Sequence, residues 1–145
     1  MILTIADSCL QTLSADLAKH LASDRAAEET GWLLLGIRDQ TSVHVTDLVP
    51  AGENRIGTPN SIQFDAASQV AATKAIRDRD SRVEVLGVAH THPSGRHRPS
   101  SGDLEGDKQW VQNLRSDGLF GIVSDGCVRW YSLGKDDDEY RAINT

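Results

Sequence analysis

The chain has 145 residues, 39% apolar, 25% charged and 5% aromatic, with a formal net charge of −6. That length suits one domain, here expected to span residues 1–145, with enough apolar chain to build a core without disulfide or metal staples. Fibrous, disulfide-scaffold and broadly disordered classes are excluded, no apolar run approaches the ~20 residues a membrane span requires, and the acidic balance speaks against a nucleic-acid partner. Cys9 and Cys127 form no CxxC and no framework spacing, and MILTIADSCL carries neither a basic n-region nor an apolar h-region. The expected compartment is reducing and cytoplasmic, with no membrane partner.

Residues 1–5 predict a short strand. Leu10, Leu13, Leu17 and Leu21 then recur at spacings of three and four, one stripe of a helix that Asp7 or Ser8 would cap. The polar stretch 24–30 predicts a loop. Residues 32–37 form an unbroken apolar run, a buried strand, and 41–49 alternates loosely enough to pair with it. Two Gly, one Pro and two Asn between 51 and 60 predict a loop. The Ala-rich stretch 65–80 predicts a helix. Val83–Ala89 is apolar at nearly every position and predicts a central strand covered on both faces. Two Pro and two Gly make 93–102 a loop; 103–115 predicts a helix. Residues 119–123 and 127–133 predict a hairpin around Asp125-Gly126, and 134–139 a charged linker to a short tail. Strands and helices mix without strict βαβ alternation, so the expected class is α/β, a mixed sheet with flanking helices.

His90 and His92 close the central strand. Residues i and i+2 of a strand share a face, so the two imidazoles lie side by side and Thr91 turns away. Asp103 follows at a helix start, where the helix dipole favours an ionised carboxylate. Two His and one carboxylate suit Zn²⁺ with a fourth position open, and an open zinc site makes water a nucleophile at neutral pH. By itself an H-x-H pair is a weak signal, equally read as two polar residues at a strand end, and this arrangement lacks a base.

The run His90-Thr91-His92-Pro93, followed by Pro99-Ser100-Ser101-Gly102-Asp103, resembles the H-x-H-P…P-S-x-x-D signature of the JAMM metalloproteases, the MPN/JAB family. Seven residues separate His92 from Ser100 and two separate Ser100 from Asp103, as in that signature. Upstream, Glu29-Thr30-Gly31-Trp32-Leu33-Leu34-Leu35-Gly36 is similar to the family's E-T-G-G-x-L-x-G block, with Trp32 in place of the second Gly. The resemblance runs from about residue 28 to 130. It implies the MPN/JAB (cytidine-deaminase-like) fold, with His90, His92 and Asp103 as zinc ligands. Glu29 would be the general acid/base and Ser100 the residue that orients or stabilises the tetrahedral intermediate. Register with Thr30-Gly31 selects Glu29 over Glu28. MPN scaffolds without activity have lost ligands, and this chain keeps all of them. Ser100 also has a bland reading as part of the helix start, where Ser101 is equally placed to cap. His20 and His44 carry no function in this reading, and His97 is an exposed loop residue. Trp32, Trp110 and Trp130 are core aromatics, with Trp32 also a candidate to line the site.

The resemblance also implies hydrolysis of amide bonds, often the isopeptide bond at the C-terminal Gly of ubiquitin or a ubiquitin-like protein. The compact loops are most similar to bacterial JAMM proteins encoded beside E1-like and E2-like enzymes in conjugation or antiphage systems. The expected activity is maturation or deconjugation of such a ubiquitin-like protein. The alternatives are processing of a sulfur-carrier protein and a non-catalytic MPN interaction domain. A DNA-repair-associated JAB family shares His92-Pro93-Ser94-Gly95, but the −6 charge disagrees with duplex binding.

Overall fold

A computed structural model describes residues 1–145. Along the chain run β1 (Ile2–Ile5), α1 (Asp7–Leu21), β2 (Gly31–Arg38), β3 (Ser42–Pro50), β4 (Ile56–Thr58), β5 (Ser61–Gln63), α2 (Ala66–Arg79) and β6 (Glu84–Thr91). They are followed by α3 (Ser101–Gln112), β7 (Gly118–Ser124), β8 (Cys127–Leu133) and β9 (Arg141–Ile143). Seven strands make one sheet in the order β1-β3-β2-β6-β7-β8-β9, and β4 and β5 form a separate two-stranded ribbon. β1/β3 and β6/β7 pair in parallel and every other neighbour is antiparallel, so the sheet is mixed as expected.

Strand alternation sorts the core into two layers. On one face Trp32, Leu34, Val45, Leu86, Ala89 and Trp130 pack with Cys9 and Leu13 of α1. On the other, Leu33, Leu35, Val49, Val88, Phe120 and Leu133 pack with Val111 of α3. β6 lies between β2 and β7 in mid-sheet, which is why its sequence is apolar on both faces. No helix is long and apolar enough to cross a membrane.

Four details differ from the sequence expectations. The ribbon β4–β5 and strand β9 fall where a loop and a tail were expected. α1 begins after Ala6, with no side-chain cap; neither Asp7 nor Ser8 supplies one. Its buried stripe is Cys9, Leu13 and His20, with Leu17 half-buried, while Leu10 and Leu21 face solvent. Trp110 is half-buried rather than central.

Candidate metal centre and active site

The site sits where β6 ends and α3 begins. β6 carries His90 and, just past its end at Thr91, delivers His92 to the same α2/α3 side of the sheet, while Thr91 turns toward the other. Thr91 Oγ1 accepts the Thr30 N–H at 2.9 Å, and the Thr91 N–H donates to the Thr30 carbonyl at 2.8 Å. This pair of hydrogen bonds between β6 and the segment before β2 sets Glu29 beside His90. The glycine of the upstream block is required by the same contact: a Cβ on Gly31 would lie 2.5 Å from the Ala89 carbonyl and 3.0 Å from the Phe64 ring.

α3 opens with a reciprocal cap. Ser100 Oγ accepts the Asp103 N–H at 3.0 Å, and Asp103 Oδ2 accepts the Ser100 N–H at 2.8 Å. Ser100 is therefore the capping serine, and Ser101 is the exposed first helical residue. The cap fixes the Asp103 carboxylate against both imidazoles. His90 Nε2 is 3.2 Å from Asp103 Oδ1, His92 Nε2 is 3.0 Å from Asp103 Oδ2, and the two Nε2 atoms are 3.0 Å apart. Tetrahedral ligands at zinc distances stand about 3.3 Å from one another, so these three donors fit one ion with little movement. His92 Nδ1 lies 2.9 Å from the Arg96 carbonyl. A carbonyl only accepts, so that nitrogen carries the proton and Nε2 keeps its lone pair for a metal. All three residues are buried or nearly so.

Glu29 stands slightly farther off. Its Oε1 is 3.9 Å from His90 Nε2, and Glu29, His90 and His92 each place a donor within 4.8 Å of the others. Glu29 is 3% exposed, whereas Glu28 is half-buried and pairs with Arg25 at 3.0 Å. The inward carboxylate is thus the one that the register selected. Burial pushes its pKa up to about 7, the nearby His90 opposing the rise and Asp103 adding to it. A carboxyl poised there exchanges protons readily at neutral pH. Asp103 shows the reverse balance. Burial alone would raise it, but the two imidazoles against it and the Ser100 N–H hold it well below the usual carboxylate range. For His90, burial works downward, and the Asp103 carboxylate outweighs it and lifts the imidazole above its ordinary value.

Several supporting residues escaped sequence reading. His20 is 6% exposed and bonds the Glu28 carbonyl through Nε2 at 2.9 Å, while the Glu29 N–H donates to the Thr58 carbonyl of β4 at 2.8 Å. α1, β4 and β6 therefore grip three consecutive residues around the inward carboxylate. A helical histidine carries no periodic signal that would mark this role. One turn beyond Asp103, Asp107 is 5% exposed and accepts the Tyr140 hydroxyl at 2.6 Å; burial raises its pKa to about 6. His97 is half-buried rather than exposed, with Nε2 3.4 Å from Asp125 Oδ2. Trp32 is buried in the opposite layer with its indole N–H on Asp16 at 2.9 Å, so it does not line the site. A groove of about 1060 Å³ between α2, α3 and β5 opens onto Glu29, His90 and Asp103, over an apolar floor of Leu33, Val85 and Val88.

The profile of the family described as prokaryotic homologs of the JAB domain matches residues 10–141. The chain belongs to this family. The solution structure of protein DSY2949 from Desulfitobacterium hafniense is similar in fold, with a TM-score of 0.71 over 97% of this chain and 90% of that one, at 21% identity. No curated protein matches the sequence. The JAB superfamily includes metalloproteases, and the His/His/carboxylate cluster of this JAB domain has the donor chemistry of a metal site.

Proposed function

We propose that this JAB-domain protein is a zinc-dependent endopeptidase or isopeptidase that cleaves after the C-terminal Gly of a ubiquitin-like protein. The observation that carries the reading is the cluster itself. Three donors, buried or nearly so, stand 3.0–3.2 Å apart, with a fourth, buried carboxylate 3.9 Å away and poised near neutrality. His90, His92 and Asp103 would hold the ion. Bound zinc supplies a lowered water pKa and a Lewis acid for the scissile carbonyl.

The chain's own residues do the rest. Glu29 takes a proton from the attacking water and returns it to the leaving amine, two tasks that a carboxyl near pH 7 performs with small penalties in either direction. Burial of Glu29 keeps bulk water from competing for that proton. Ser100 has its hydroxyl oxygen occupied by the Asp103 N–H and its own proton free to donate. That proton suits a developing oxyanion. The groove delivers the substrate. β5 pairs with β4 along one edge only, and an extended tail can add to the other.

The test uses the ubiquitin-like protein encoded nearest this gene, extended by a few residues beyond its terminal Gly. The zinc-loaded wild type should release the extension at that Gly, read by intact mass, and the Glu29→Ala variant should not. Equal inertness of both proteins, each holding one zinc per chain, would remove this substrate class.

A further inference from the structure

α3 turns one face to the groove, and that face carries a charge that the protein leaves uncompensated. Gly102, Asp103, Gly106, Asp107 and Trp110 recur at the spacing of a single helical stripe and line the groove. Asp103 is taken up by the two imidazoles. Asp107, one turn farther along, is 5% exposed. Its Oδ2 accepts the Tyr140 hydroxyl, a neutral donor, at 2.6 Å. Its Oδ1 makes no hydrogen bond and keeps surface open to the groove. The approach is bare, because a Cβ on Gly106 would meet nothing within 4 Å. A glycine inside a helix costs about 1 kcal/mol relative to alanine, and no turn or close packing demands this one. The cations nearby are committed elsewhere. Lys108 holds Asp138 at 2.9 Å, and Lys74, across the groove, holds Asp78 at 2.7 Å. Arg77 lies late in α2, which leads into the start of β6, so it stands at the end of the groove away from His90. Burial pushes the Asp107 carboxyl up to about 6, the Tyr140 hydroxyl opposing the rise. A buried carboxylate with no cation in contact costs free energy until one arrives.

We infer that Asp107 is a specificity residue: its Oδ1 accepts a hydrogen bond from the ammonium or guanidinium of a Lys or Arg side chain on a peptide lying in the groove. The inference rests on the reading of the groove as the channel for a polypeptide tail. Asp107 lies about 6 Å beyond Asp103 along α3, and an extended chain advances about 3.3 Å per residue. The basic side chain therefore belongs to a residue about two positions ahead of the bond held at Glu29. Its aliphatic stem can lie on the apolar floor of Leu33, Val85 and Val88 while its head reaches the carboxylate. A charge-assisted hydrogen bond shielded from water in this way is stronger than one at the surface. An acidic side chain at the same place would meet a like charge.

The test is a binding measurement on the whole chain carrying Glu29→Gln, which keeps the shape of the site and cleaves nothing. The probes are acetylated hexapeptide amides of Ala ending in Gly, with Arg placed at each position in turn and, beside each, its neutral isostere citrulline. At one position Arg should bind about 10–100-fold more tightly than citrulline, the size of one hydrogen bond to a charged group. Lys should share that advantage and Glu should lack it. In the protein carrying both Glu29→Gln and Asp107→Asn, which keeps an acceptor for the Tyr140 hydroxyl, Arg and citrulline should bind alike. In the protein with Asp107 intact, the Asp107 carboxyl carbon resonance should move far more with the Arg peptide than with the citrulline one. This second readout stands even if Asp107→Asn does not fold. The absence of any position that prefers Arg, a preference that survives Asp107→Asn, or an unmoved Asp107 resonance each overturn the inference. Cleavage of the extended ubiquitin-like protein at a rate indifferent to basic residues in its tail removes only the role of Asp107. Asp107-dependent binding with no cleavage by the zinc-loaded wild type removes only the hydrolase reading.

Discussion

Replacing Glu29 by Gln in the metal-free protein tests the electrostatics of the site without any substrate. The variant keeps the shape of the side chain and removes its charge. Glu29 is 3% exposed, and burial moves its carboxyl from 4.5 to about 7. At about 1.4 kcal/mol per pKa unit, the ionised form is held about 3 kcal/mol less well in the folded protein than in the unfolded chain. A folded-state pKa above the unfolded value means that the folded state binds the proton more tightly. The stability linked to that proton is complete below pH 4.5 and is lost as pH rises through 7. Glutamine has no such dependence. Urea unfolding of the chelator-treated proteins at about pH 5 should give similar stabilities, and at about pH 8.5 Glu29→Gln should be the more stable by about 3 kcal/mol. His90 and Asp103 titrate in both proteins, and the Glu29 charge is a smaller cause of the His90 shift than burial or Asp103. A difference between the two proteins that is the same at both pH values would refute the claim that burial sets the protonation of Glu29. The same variant should lose 10²–10⁴-fold in turnover, roughly the usual contribution of a general base, so that stability and activity move in opposite directions.

Asp103→Ala removes one of three donors and leaves the Ser100 N–H without its acceptor; zinc per chain, measured by elemental analysis after dialysis, should fall well below one. Glu29→Ala should retain full zinc in the same measurement, because Asp103 and not Glu29 completes the close donor set. Gly87→Ala would place a Cβ 1.8 Å from the Leu119 carbonyl at the centre of the sheet, and the folded protein should be lost or its thermal midpoint lowered by at least ~10 °C, the shift expected of a destabilisation above about 3 kcal/mol. Tyr140→Phe takes from the buried Asp107 carboxylate the hydroxyl that donates at 2.6 Å; it should cost about 1–3 kcal/mol in chemical denaturation above about pH 6, where Asp107 is ionised, and much less in acid.

The close donor set was legible because its placement depends on local rules, whereas its carboxylate neighbour, Glu29, was legible only through the resemblance to the JAMM block. Strand parity puts His90 and His92 on one face and Thr91 on the other, and a helix start holds Asp103 by a cap whose residues are three apart in sequence. Glu29 comes from far along the chain, and only its register with Gly31 distinguished it from Glu28. What escaped depends on contacts between distant segments. Ile56–Thr58 and Ser61–Gln63 are too short and polar to show alternation, and β4 is anchored by the Glu29 N–H on Thr58. The leucine spacing of α1 fits two neighbouring stripes equally, and packing against β3 chose the one through Cys9, Leu13 and His20. Gln69 sits in an Ala-rich helix whose pattern gives no reason to expect a buried amide.

All three close donors lie between residues 90 and 103, within one strand, one loop and the first turn of one helix. An ion held there ties a ring of about a dozen residues, and closing so short a loop changes the entropy of the chain by little. The two core layers that carry the sheet contain none of the three donors. On the proposed zinc reading, loss of the ion would be a local event that leaves the sheet folded. In this respect the protein is the opposite of a zinc finger, whose chain unfolds when its ion is withdrawn. Amide exchange should show protection lost across that segment and kept along β6 and β7 when the ion is removed. On that reading, the protein stripped of its ion would remain an intact scaffold, able to take up another without passing through an unfolded state.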